Sequence, residues 1–184
     1  LVSSVSALVV LDEAYMDFWD QSLLGQAGQF DNLIILKTCS KALGMAGVRL
    51  GVAVANPTIT RALHAAKSPY NVNSISQLVG KKLFSYPQLL QKNTEKIIES
   101  KEALLKKMFE YSERYPSVLE QVYPSCTNFV LIKTPKADEI YQKLLNASVA
   151  IRNFGNYLRI SAGSQEENRY LFESLEGILK GEIE

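Results

Sequence analysis

The sequence predicts an α/β protein in two parts, and three observations carry that expectation. Apolar runs rich in β-branched residues, at 7–11, 33–36 and 48–55, are separated by polar connections, the pattern of strands buried in an α/β sheet. From Pro87 to about Tyr115 the apolar residues Leu90, Ile97, Ile98, Leu104, Leu105, Met108 and Phe109 approximate helical spacing among Lys and Glu, which predicts one long helix. Beyond Pro116 the order strand, helix, two strands, helix predicts a compact sheet covered on one side. The expected division is a first domain over 1–86, a connecting helix over 87–115 and a small α/β domain over 116–184.

Composition narrows the class. With 184 residues and 47% hydrophobic content the chain can bury a sizeable core. A net charge of +1, with both signs distributed along the chain, argues against nucleic acid or an anionic membrane as a partner. The apolar runs are far shorter than the roughly 20 residues that a membrane-spanning helix needs. Cys39 and Cys126 are far apart and lack metal-ligand spacing, so neither a metal site nor a disulfide framework is expected. No secretion signal opens the chain, and a cytoplasmic location is the expectation.

In chain order, the run 7–11 is continuous, as expected for a strand covered on both faces, and it ends at Asp12. Ligands gather at the carboxyl ends of strands in open α/β sheets, so a carboxylate there is well placed for chemistry. Tyr15 follows closely and could equally pack with Phe18 and Trp19. Residues 20–30 read as a short surface helix and loop, and 33–36 as the next strand. Asn56-Pro57 combines an N-cap residue with Pro at the first helical position. His64, the only histidine, sits in that helix and is assigned no chemistry. Another helix begins near Ser74. In the second part, 127–133 is a strand, 135–145 a helix, 149–152 and 157–161 strands around Gly155-Asn156. Ser164 with Glu167 forms a capping box that opens the last helix.

The stretch between 37 and 51 is the most informative. Thr38, Ser40, Lys41 and Arg49 put two hydroxyls, an amine and a guanidinium where they can converge on a small anion, and Gly44 and Gly47 permit tight turning. A P-loop is excluded, because there the glycines precede the lysine. Arg49, inside the apolar run 48–52, is expected to be buried, and a bound phosphate would balance it. Cys39 is expected to be a small buried hydrophobe.

Here the sequence resembles the fold-type-I pyridoxal phosphate enzymes, in particular the aminotransferases around histidinol-phosphate aminotransferase. The matching residues are Ser40-Lys41, Gly44, Gly47, Arg49 and Gly51, with Asp12-Glu13-Ala14-Tyr15 upstream and Leu158-Arg159-Ile160-Ser161 near the end. The resemblance implies a mostly parallel sheet with helices on both faces in the first part. It implies pyridoxal 5'-phosphate as cofactor, with Lys41 as the catalytic Schiff-base lysine and Asp12 at the ring nitrogen. Tyr15 would lie at the ring hydroxyl, and Thr38, Ser40 and Arg49 around the phosphate. Arg159 is implied as the substrate-carboxylate residue and Arg152 as a second substrate arginine. The implied activity is ping-pong transamination of histidinol phosphate with 2-oxoglutarate and glutamate, by a cytoplasmic homodimer. Relatives with the same core act on aromatic amino acids or decarboxylate threonine phosphate.

The resemblance also implies that these residues correspond to the second half of such an enzyme. The family's aromatic ring platform, its asparagine and its phosphate-binding helix belong to a first half. A chain of these residues alone is expected to bind cofactor weakly and turn over little or not at all, so two readings stand: an enzyme half that is active when the missing half and a partner subunit are supplied, and a catalytically silent fragment.

Overall fold

The computed structural model describes residues 1–182. Two compact units make up the chain, Leu1–Thr94 and Glu95–Glu184.

In the first unit, strands β1 (Val9–Asp12), β2 (Leu33–Thr38) and β3 (Gly51–Ala55) form one sheet in that order. β1 and β2 are parallel, with Asp12 opposite Leu36, whereas β2 and β3 are antiparallel, with Thr38 opposite Gly51. The crossover from β1 to β2 contains a 3-10 helix, Leu24–Gln29, where a surface helix was expected. Its Ala27 packs with Leu33 and Ile35, and Val9, Leu11 and Phe30 border that cluster. Alternation along a strand then turns Val10 to the opposite face, where it is 54% exposed. Within these residues the second face of β1 is left open at Val10.

Helix α1 (Pro57–Ala66) begins as the sequence foretells, because the Asn56 side chain accepts from Ile59 N and Pro57 needs no hydrogen-bond partner there. His64 lies on its exposed surface. Helix α2 (Ser74–Leu83) is capped in the same way by Asn73, whose Oδ1 accepts from Ser76 N. Helix α3 (Pro87–Arg114) is the long helix, and the division between the units falls within it.

The second unit holds β4 (Gln121–Val122), β5 (Phe129–Lys133), β6 (Arg152–Asn153) and β7 (Tyr157–Ser161), all antiparallel, in the order β4-β5-β7-β6. Two helices, α4 (Ala137–Asn146) and α5 (Gln165–Lys180), complete it. Val130 and Ile132 of β5 and Leu158 and Ile160 of β7 point into one core with Ile140, Leu144, Leu171 and Leu175. Leu104, Met108 and Tyr111 of α3 enter the same core at helical spacing. Full burial of one such aliphatic side chain contributes about 1.5–3 kcal/mol. The strand expected over 149–152 is observed only as Arg152–Asn153, and Ser148, at φ 61°, takes a left-handed turn upstream of it. The capping box of α5 is present in both directions.

Candidate active site

Because β1 and β2 are parallel, their carboxyl ends share one edge of the sheet, and the two segments with candidate residues leave from that edge. Asp12 is the last residue of β1, exposed, with Oδ1 accepting from Ala14 N at 2.9 Å. The chain then turns, so that Tyr15 lies half-buried with its ring centroid 5.2 Å from Lys41 Nζ. Tyr15 also packs on Phe18, ring centroids 6.4 Å apart, so the packing role and the contact with the lysine coexist.

The lysine loop is built from local hydrogen bonds. Thr38 Oγ1 accepts from Ser40 N at 3.1 Å, which aligns the two hydroxyl residues. Cys39 is buried, and its backbone donates to Leu50 O and accepts from Met45 N. Burial first, and the nearby Asp17 charge second, push its thiol above the usual value, so it behaves as the small hydrophobe expected. Gly44 has φ +65° and takes the left-handed turn. Gly47 has no positive φ and lies in a 3-10 turn, Ala46–Val48, so the expected need for glycine there is not met.

Arg49 differs from expectation. It caps that turn at φ 55°, is exposed, and donates from Nη1 to Ala46 O at 3.1 Å; β3 begins only at Gly51. The apolar neighbours of Arg49 belong to a turn rather than to a buried strand, so no burial cost has to be balanced. The loop's downstream end rests on α2 instead. Ser76, buried, donates from Oγ to Val48 O, and a Cβ on Gly80 would come within 2.3 Å of Leu50 Cδ2.

Two acidic residues missed as functional neighbours complete this edge. Glu13 is buried, with Oε2 accepting from Ser22 Oγ at 2.6 Å and Oε1 from Leu23 N at 2.8 Å. Lys37 Nζ lies 2.6 Å from Asp17 and 3.7 Å from Glu13. Lys37 is thus tied to carboxylates, whereas Lys41, the lysine singled out from the sequence, faces an aromatic ring. The signal for Glu13 was present: in a strand, the residue after an outward carboxylate points the other way.

In the second unit, Arg152 and Arg159 lie directly opposite each other on β6 and β7. Facing like charges destabilise an antiparallel pair unless an anion comes between them. Arg159 is half-buried, with its guanidinium carbon 4.9 Å from the Phe129 ring centroid and 5.7 Å from that of Phe154. Its Nε is buried without a hydrogen-bond partner. Among the described residues there is no cluster of three metal-ligating side chains and no helix long and apolar enough to cross a membrane.

The family model for class I and II aminotransferases matches residues 1–175, and the chain belongs to that family. It is 38% identical to histidinol-phosphate aminotransferase of Thermoanaerobacter sp. (strain X514), over 97% of this chain and 51% of the relative. The enzyme of the same name from Clostridium kluyveri is 34% identical, over 98% of this chain and 51% of its own length. The chain therefore spans about half the length of the curated relatives it matches. Among solved structures, histidinol-phosphate aminotransferase from Sinorhizobium meliloti, in complex with pyridoxal-5'-phosphate, superposes with a TM-score of 0.79 at 24% identity, covering 95% of this chain and 49% of that one. A decarboxylase from Sulfurospirillum multivorans superposes with a TM-score of 0.77 at 26% identity, covering 94% of this chain and 52% of that one.

Proposed function

We propose that the chain serves pyridoxal 5'-phosphate-dependent transamination, with histidinol phosphate and 2-oxoglutarate as the substrate pair. The observation that carries this is the meeting of the Lys41 amine with the Tyr15 ring, at the sheet edge where Asp12 ends the neighbouring strand. The names of the relatives support histidinol phosphate as one of the two substrates.

The residues suit the cofactor. Asp12 Oδ1 is tied back to Ala14 N, which leaves Oδ2 for the ring nitrogen, where a fixed negative charge keeps the proton. Thr38 and Ser40 offer adjacent hydroxyls to a phosphate, and Arg49, exposed and hydrogen-bonded only to a turn carbonyl, can rotate its fork toward the same group. When bound, the cofactor supplies an aldehyde to exchange with amines and an electron-withdrawing ring. Lys41 would hold it through Nζ, and its free amine would carry a proton to and from the substrate Cα as general base and acid. Tyr15 orients the amine and the ring oxygen. Arg159 grips the substrate carboxylate, and Arg152 adds a second positive charge beside it. A cytoplasmic homodimer belongs to the same reading.

The test is direct. Titration with pyridoxal phosphate is expected to produce the visible absorbance of lysine-bound cofactor, and Lys41→Ala to abolish it. Bleaching by histidinol phosphate, faster than by phenylalanine or threonine phosphate, supports the substrate; faster bleaching by either of the others transfers the assignment to an aromatic aminotransferase or a decarboxylase. Absorbance that persists in Lys41→Ala refutes the cofactor site, and no absorbance with the wild-type chain makes it a silent scaffold.

A further inference from the structure

The Arg159 guanidinium has a more specific setting than its assignment requires. Phe154 is 55% exposed, although it is a large apolar ring beside a sheet with a well-filled core on the other side. Its backbone is not loose: Phe154 N donates to Tyr157 O at 2.8 Å, and Gly155, at φ +68°, closes the turn. Hydrophobic burial does not account for a ring held there, whereas its distance of 5.7 Å from the guanidinium does. On the other strand, Phe129 is anchored through its carbonyl, which accepts from Ser125 Oγ at 2.5 Å and from Thr127 Oγ1 at 3.3 Å. Ser125 O in turn accepts from the buried Lys101 Nζ at 2.6 Å. Thus one ring is fixed by a chain of hydrogen bonds, and the other is presented at a turn.

We propose that Phe129 and Phe154 clamp the Arg159 guanidinium so that its Nη1–Nη2 edge meets an incoming carboxylate, making Phe154 a positioning residue for carboxylate substrates. This rests on Arg159 being the carboxylate residue. A weakly hydrated planar cation stacks on aromatic faces without being neutralised, so the rings orient it while leaving its charge for the ligand. An acidic partner would orient it equally well, but would compete with the substrate. The buried Nε closes the side-on approach and leaves the end-on edge, which is the bidentate geometry for a carboxylate. Arg152, opposite on β6, adds attraction for the anion without fixing the fork.

The test uses the 184-residue chain with glutarate as probe, followed through the 15N-resolved Nε–Hε signal of Arg159. In the wild type this signal is expected to be ring-shifted and slow to exchange with water, and to move on glutarate addition. Phe154→Ala is expected to speed the exchange and to weaken glutarate about two- to thirty-fold, the span of exposed to desolvated cation–π contacts. Phe154→Trp is expected to restore both, and Phe154→Leu, which keeps apolar bulk without a ring, to restore neither. Phe154→Leu equal to Phe154→Trp reduces the effect to packing and overturns the clamp. So does Phe154→Ala binding within two-fold of wild type while Arg159→Lys loses glutarate, but that result leaves the carboxylate role of Arg159 standing. Unchanged glutarate binding in Arg159→Lys, or no response in the wild type, removes that role and the clamp with it.

Discussion

Removing the Glu13 carboxylate should unfasten the crossover that follows Asp12. The side chain is 1% exposed, and its two oxygens hold Ser22 Oγ at 2.6 Å and Leu23 N at 2.8 Å, with Lys37 Nζ at 3.7 Å. Glu13→Ala strips two charge-assisted bonds and leaves the Leu23 N–H short of its acceptor. A hydrogen bond to a charged group contributes about 1.5–3 kcal/mol, so the pair comes to about 3–6 kcal/mol. Lys37 keeps Asp17 at 2.6 Å, so its own charge stays paired and adds little. Trp19, the only tryptophan, lies in the first unit and reports its urea unfolding by fluorescence. The expected fall in midpoint is roughly 2 M, for a slope of about 2 kcal/mol per molar. Glu13→Gln, which retains an acceptor, should fall by about half as much. A midpoint for Glu13→Ala within about 0.3 M of wild type would show that the carboxylate is not what fixes the crossover, and the reasoning fails.

Ser76→Ala removes the donor to Val48 O beneath the lysine loop, and is expected to cost about 1–2 kcal/mol in the same Trp19 assay and to weaken pyridoxal phosphate binding, read by absorbance titration. Tyr111 donates to Phe172 O at 3.1 Å and to Glu176 at 3.3 Å, and burial first, then the Glu176 charge, raises its phenol well above the usual value. Tyr111→Phe should cost about 1 kcal/mol and lower the calorimetric Tm of the second unit by about 4–8 °C. Glu167 is held below its ordinary 4.5 by the Ser164 backbone N–H first, and by the Ser164 side chain second. Between 4.5 and that lowered value the unfolded chain binds more protons, so the capping-box contribution is full above 4.5 and is lost as pH falls through the lowered value. Glu167→Gln should flatten that part of the acid limb in thermal melts taken from pH 6 downward, and an unchanged limb would refute the assignment.

Legibility from the sequence followed the range of the interaction. Asn56-Pro57 and Ser164 with Glu167 gave helix starts that the structure reproduces, because a cap is complete within four residues. The strands β5 and β7 were likewise readable, since an apolar run of strand length is a local signal; their alternating burial came from the structure. Arg49 was misread because apolar content does not distinguish a 3-10 turn from a strand; the true start, Gly51, is set by the close approach of Lys37 O, 3.0 Å from where a Cβ would stand. Other features required partners distant in sequence. The pairing of Arg152 with Arg159, the rings around Arg159 and the ion pairs of Lys37 all depend on register or on a turn. No single stretch carries that information.

The parallel register of β1 on β2 selects the face to which each of two consecutive acids points. Asp12 stands opposite Leu36 and looks outward, while Glu13 looks inward. Sliding β1 by one position would turn Asp12 inward and Glu13 outward, and the anchor to Ser22 and Leu23 would lose its glutamate. A single-residue deletion within β1 would therefore leave both carboxylates in the protein but reverse the face each looks from, whereas added length in the exposed part of the crossover would leave them undisturbed.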